Sequence, residues 1–220
     1  MSTPSRGKRL APSGAGRRTR AEQTRARIIT AAHEEFLARG YHGATIATIA
    51  RRAGVAPQTV YFVFHTKPAL ISAAIDAAVL GPGATPPEQT EWWAAMVAAP
   101  TGHEALRHFI RGAGPLYARA AGISEVLRAA AMTDPECRAT WQHHDDIQVA
   151  AFRHVIDRAM EKTALRPGLD PATATDVLIT WFGDTTYHLL TNERGWGDQQ
   201  TIDWMAEAIP HVLLEAETPG

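Results

Sequence analysis

From Ala21 to Arg39 the apolar residues Ile29, Ala32 and Phe36 fall on one helical stripe, flanked by Ile28 and Leu37, and Gly40 stands where a helix can end. A first amphipathic helix follows. Next, Thr45 is a good N-cap, Ile46, Ile49, Ala50 and Ala53 recur at i, i+3, i+4 and i+7, and Gly54 can take the positive φ that closes a short helix. Pro57 is tolerated only in a first turn, so a third helix starts there with Val60 and Phe64 inward. Thr66 caps a fourth helix through Val79. Its apolar residues face two ways, Leu70, Ala73, Ala74 and Ala77 on one side and Ile71, Ile75 and Ala78 on another, as in a helix wedged between domains. Gly81-Pro82-Gly83, with Pro86 and Pro87 behind, breaks it and marks a boundary.

Beyond residue 90 every period is helical. Thr101 and Glu104 predict a capping box before a stripe of Leu106, Ile110, Ala113 and Tyr117. Asp134-Pro135 opens a long helix to about Lys162 with Trp141, Gln148, Phe152, Val155 and Ala159 on one side. Asp170-Pro171 opens another to about Thr191, and a last helix covers about Thr201 to Glu215. No segment alternates like a strand, so the fold class is all-α.

Composition changes this picture at one point. The net charge of the 220 residues is −1, but residues 1–70 carry 12 Lys/Arg against 3 Asp/Glu while residues 71–220 carry 10 against 20. A basic module joined to an acidic one is what a nucleic-acid-binding domain with a separate regulatory domain would show. Residues 2–18 mix Pro, Gly and Ser with Arg and Lys and have no hydrophobic period, which predicts a disordered basic arm over 1–20. Its Arg6, Lys8, Arg9, Arg17, Arg18 and Arg20 are expected to add salt-dependent, sequence-blind affinity rather than to read a minor groove. The remaining units are then 21–80 and 90–220. Cys137 is the only cysteine, so no internal disulfide can form. The longest apolar run, Trp92–Ala99, is far short of a membrane span, and no apolar signal core follows the basic start, so a cytoplasmic protein with no membrane partner is expected.

Two brief helices joined by a tight glycine turn, the second starting on proline, are the parts of a helix-turn-helix. The second helix must be propped by Val60 and Phe64 on Ile46, Ile49 and Ala50 so that its outer face can enter a major groove. That face holds Gln58, Thr59, Phe62 and Val63. Gln can pair bidentately with adenine, and Thr or an aromatic edge can pack on a thymine methyl.

The order Thr45-x-x-x-Ile49-Ala50-x-x-Ala53-Gly54-Val55, then Thr59-Val60-Tyr61-Phe62-x-Phe64-x-x-Lys67-x-x-Leu70, resembles the DNA-binding domain of TetR-type (tetracycline-repressor-like) bacterial transcription regulators. With Ala31-Ala32, Phe36 and Gly40-Tyr41 upstream, the likeness covers roughly Ala21 to Leu80. It implies an N-terminal three-helix helix-turn-helix domain and a C-terminal helical ligand-binding and dimerisation domain. By position it implies that Thr45 and Tyr61 touch phosphates, that Gln58, Thr59 and Phe62 face bases, and that Lys67 holds a phosphate at the fourth helix N-terminus. Ala56 stands where a Ser cap is common and Val63 where His is frequent. Arg51 and Arg52 read equally as a solvated face or as phosphate contacts.

The same resemblance implies a homodimer on a palindromic, double-stranded operator, because reading two half-sites needs two recognition helices about 34 Å apart. The last two long helices would form the seam, with Val177, Leu178, Trp181, Phe182 and Leu189 on one and Ile202, Met205, Ile209, Val212 and Leu213 on the other. A core within one subunit predicts the same residues. A pocket for a small-molecule effector is implied in the acidic domain, with Phe109, Tyr117, Trp141, His144, Phe152, Trp181 and His188 as candidates and no cofactor. The fourth helix would carry the effector's signal.

An enzyme is the competing class, because of His143-His144-Asp145-Asp146 and His103-Glu104-x-x-x-His108. Spacing argues against both as metal sites. A zincin helix needs two histidines at i, i+4, the second cluster spaces them by five, and adjacent residues diverge by about 100° around a helix. Neither G-x-S-x-G nor a phosphate-binding glycine loop occurs, and Cys137 has no evident base. No catalytic or metal residue is therefore assigned.

Overall fold

A computed structural model of the chain describes residues 14–81 and 85–216. The described residues form α1 (Gly14–Gly43), α2 (Ile46–Ala53), α3 (Pro57–Phe64), α4 (Lys67–Leu80), α5 (Glu91–Ala98), α6 (Gly102–Ala131), α7 (Pro135–Met160), α8 (Pro171–Phe182), α9 (Asp184–His188) and α10 (Asp198–Leu213). A 3-10 turn at Pro87–Gln89 and a π-helical turn at Leu189–Glu193 complete the helical content, and Leu165 meets Leu214 in an isolated antiparallel bridge. No single helix among these residues is long and apolar enough to cross a membrane.

The caps explain most boundaries. Thr45, Thr66, Thr90, Thr101, Asp134 and Asp170 each accept a backbone N–H of the first turn they precede. At α2 the box is reciprocal, since the Thr48 hydroxyl in turn accepts the Thr45 N–H at 3.1 Å. Gly54 closes α2 in the left-handed region at φ 67°, ψ 39°, and donates to the carbonyls of Ala50 and Arg51.

Three sequence expectations need correction. Helix α1 begins at Gly14, inside the segment expected to be a disordered arm, so Arg17, Arg18 and Arg20 lie on a helix; Arg6, Lys8 and Arg9 lie outside the described residues. The helix expected from Asp170 to Thr191 stops at Phe182. Gly183 has extended backbone there and restarts the chain as α9, and a Cβ on it would lie 2.3 Å from the Ile179 carbonyl oxygen. Finally, the apolar residues assigned to a dimer seam mostly serve the chain's own core: Leu178, Phe182, Ile202, Met205, Ile209 and Leu213 are buried within the subunit. Amphipathic period reports burial, not the identity of what buries it.

Two cores result, and they do not divide where the sequence does. One gathers α5, α8, α9, α10 and the adjoining parts of α6 and α7. The other packs Ile28, Phe36, Ile49, Val60, Phe64 and Leu70 of α1–α4 against Ile123, Leu127, Ala130 and Ala131 of α6 and Cys137 of α7. Helix α6, about 45 Å long at 1.5 Å per residue, therefore belongs to both. Helix α4 is apolar on more than one side because it lies against α1, α3, α6 and α7.

Candidate nucleic-acid interface and internal cavity

In α3 the side chains sort by face. Val60 and Phe64 are buried, while Gln58 is exposed, Tyr61 is 54% exposed and Phe62 is 83% exposed. Leaving a phenylalanine this open forgoes roughly 2 kcal/mol of burial. Thr59 is half-buried beside them. Val63, expected outward, is half-buried against the N-terminal core instead. Ala56 gives α3 no side-chain cap, as its identity predicts. Support comes from α1, whose Arg25 guanidinium lies 4.6 Å from the Phe64 ring centroid.

Thr45 is exposed at the start of α2, its hydroxyl engaged in the capping box. Lys67 opens α4, half-buried, with its ammonium 4.3 Å from the Tyr41 ring centroid. Burial pulls the amine's pKa below the ordinary lysine value, against the attraction of Cys137 and Asp134. The ambiguity over Arg51 and Arg52 resolves unequally. Arg52 donates at 2.8 Å to Glu35 and to Glu34, tying α2 to α1, and this bond holds the buried Glu35 carboxyl below its usual range. Arg51 stays on the solvent face. Sequence reading missed the tie because the partners are far apart in the chain and acids on an exposed helix look like solvation.

The α3–α4 corner is strained. His65 sits at φ 61°, ψ −51°, and the Thr66 N–H donates to the Phe64 carbonyl at 2.6 Å, a γ-turn that side chains rarely adopt. His65→Gly is expected to raise stability by about 1 kcal/mol, since relief of strain exceeds the added entropy of the unfolded chain. Chemical denaturation of the two proteins checks it.

A cavity of about 610 Å³ lies between α4, α5, α6, α7 and α9. Of the pocket candidates, Phe109, Tyr117, Trp141, His144 and Phe152 line it. Trp181 and His188 lie away from it: Trp181 stacks on Trp204 with centroids 6.0 Å apart, and the His188 ring contacts the Asn192 amide. Three lining residues absent from the sequence reading are Trp92 and Trp93 of α5 and Asp184 of α9. The apolar run containing the tryptophans was legible; its place on a cavity wall was not.

Polar contacts join this cavity to α4. Ile75, Asp76, Val79 and Leu80 form part of its wall. His144 of α7 lies 3.0 Å from the Ser72 hydroxyl and 4.0 Å from Asp76, and burial lowers its pKa, favouring the neutral imidazole. Arg119 of α6 donates to the Ala78 and Val79 carbonyls at 2.9 and 3.1 Å, capping the C-terminal end of α4. Deeper in, the Gln148 amide donates to the Tyr117 hydroxyl at 3.0 Å. Among the described residues no group of three or more His, Cys, Asp or Glu is placed to hold a metal ion.

The family model for bacterial regulatory proteins of the tetR family matches residues 28–74, the segment from mid-α1 into α4. The chain is 42% identical over 57 residues to the HTH-type transcriptional regulator UidR of Escherichia coli K12, which is 26% of this chain and 29% of UidR. The matched segment thus spans less than a third of that relative. Over the whole fold it is similar to NalD, the secondary repressor of the MexAB-OprM multidrug efflux pump of Pseudomonas aeruginosa, with a TM-score of 0.65 at 22% identity, covering 89% of this chain and 98% of NalD. It is similar also to the Bacillus subtilis regulator FadR in complex with stearoyl-CoA, with a TM-score of 0.64 at 18% identity over 85% of this chain and 98% of FadR. The segment 28–74 therefore carries the sequence of the tetR family's helix-turn-helix domain, and the described residues share the all-helical fold of these solved regulators.

Proposed function

We propose that the protein is a ligand-responsive transcriptional regulator, acting in the cytoplasm as a homodimeric repressor on a palindromic operator, and not an enzyme. The observation that carries this reading is α3, which buries Val60 and Phe64 and holds Gln58, Tyr61 and Phe62 in solvent. Gln58, Thr59 and Phe62 meet base edges, Thr45 and Tyr61 meet phosphates, and Lys67 adds its charge to the free N–H groups at the start of α4. The dimer surface is what α8, α10 and the turn between α9 and α10 leave outward, with Trp181, Trp204 and Leu189 partly or largely exposed. Small-molecule response follows from the cavity, whose wall includes α4. An occupant that displaces α4 moves α3 with it and alters the spacing of the two recognition helices. The stearoyl-CoA complex of FadR supports a small molecule as effector in this fold, without indicating its chemistry here.

Selection of bound fragments from random duplex DNA tests the reading, and an inverted repeat is the expected product. Gln58→Ala is then expected to cost about 1–3 kcal/mol at one base pair of each half-site and little elsewhere. Lys67→Ala is expected to weaken all sequences about equally and to reduce the salt slope by about one per subunit. Titrations at several salt concentrations against operator and scrambled duplex distinguish the two patterns.

A further inference from the structure

The lining of the cavity has an unusual charge balance. Among the described residues four carboxylates border it, Asp76, Glu88, Asp145 and Asp184, and no lysine or arginine does. His144 is held toward neutrality by burial, and the His154 ring lies flat on Trp93 at 5.6 Å and 6°. Asp76, Glu88 and Asp145 are exposed, at the rim. Asp184 is different. It is enclosed by protein, is only partly accessible, bonds to Ser124, and has no cationic partner among the described residues. The neighbouring Glu125, by contrast, is satisfied by Arg128 at 2.7 Å and Thr185 at 2.8 Å. Burial, with Glu125 adding repulsion, pushes the Asp184 carboxyl up to about 6. An enclosed carboxylate without a counter-charge is costly, and a cation beside it recovers that cost.

The rest of the wall is aromatic. Trp92, Trp93, Phe109, Tyr117, Trp141 and Phe152 all border the space, and Trp92–Phe109 and Phe109–Phe152 are in ring contact at 6.2 and 5.4 Å. Aromatic faces attract cations through their quadrupole and solvate apolar substituents equally well. Carboxylate- or phosphate-bearing molecules would instead need Arg or Lys to offset their charge.

We infer that the effector of this protein is an organic cation of drug size, seated among the aromatic rings with its charge against Asp184. This rests on the reading of the cavity as the effector site. The volume suits a molecule of that class.

The test uses two ions of nearly the same shape and opposite charge, tetraphenylphosphonium and tetraphenylborate, titrated into the full-length protein while tryptophan fluorescence is followed. Trp92, Trp93 and Trp141 border the cavity and report its occupation. The phosphonium is expected to bind at least about tenfold more tightly than the borate, and Asp184→Asn to lower phosphonium affinity by about tenfold while leaving the borate unchanged or tighter. Equal affinities in the unmodified protein, absence of phosphonium binding, or an Asp184→Asn protein with the original preference would each overturn the assignment. Should that variant fail to fold, the comparison of the two ions in the unmodified protein decides. Release of operator is measured separately: a cation that binds but leaves the DNA complex intact refutes the regulatory role of the cavity and leaves its charge preference standing.

Discussion

Phe36→Ala is expected to remove about 3–5 kcal/mol of stability, a large part of the 5–15 kcal/mol that holds a typical domain folded. Phe36 is fully buried and stacks on Tyr41 with centroids 5.9 Å apart, at the centre of the core that α1–α4 share with α6 and α7. A cavity opened there cannot collapse easily, because its walls are backbones of several helices fixed by caps at Thr45 and Thr66. Because Ile123 and Leu127 belong to the same core, the loss is not confined to the N-terminal unit. Urea denaturation followed both by far-UV circular dichroism and by tryptophan fluorescence should give coincident transitions at a lower midpoint. All six tryptophans lie past residue 90, and Trp141 alone among them packs on the shared core while Trp92, Trp93 and Trp181 pack on the other, so fluorescence reports mainly the C-terminal core. A fluorescence transition that keeps its original midpoint while the helical signal shifts would show that the units unfold independently.

Gly183→Ala is the second large effect, expected at about 3 kcal/mol. The new methyl would approach the Ile179 carbonyl oxygen to 2.3 Å, and since that atom is backbone, no side-chain rotation relieves the clash. The C-terminal end of α8 or the start of α9 must shift. Asp184 and Tyr187 follow directly, the first on the cavity wall and the second buried with its hydroxyl donating to Asp198 at 2.9 Å. The variant should therefore lose phosphonium binding and stability together while retaining its helix-turn-helix. Denaturation and ligand titration check both halves of the expectation.

The parts of this molecule that were legible in the sequence are those decided within one turn of helix. Thr45, Thr66, Asp134 and Asp170 announce caps, Pro57 announces a start, and Gly54 announces a stop, because each acts on backbone groups a few residues away. The outward side of α3 was legible for Gln58 and Phe62, since Val60 and Phe64 fix the inward side. What escaped depends on distant partners. Residues 171–191 carry no helix-breaking signal until Gly183, and a lone glycine inside a helical pattern is ordinarily tolerated. The chain breaks there nonetheless, and α9 beyond it packs on α6. The pairing of Arg52 with Glu34 and Glu35, and the grip of Arg119 on the end of α4, likewise join positions whose proximity no local rule foretells.

The double membership of α6 bears on how such proteins can be recombined. A crossover placed in the proline-rich stretch near residue 86 would seem to exchange a complete reading head for another. It would in fact leave behind Ile123, Leu127 and Cys137, the plug that seals the underside of that head. Functional hybrids between relatives should therefore require the distal end of α6 and the opening turn of α7 to travel with the donor's first four helices, so that the inherited unit is discontinuous in the gene.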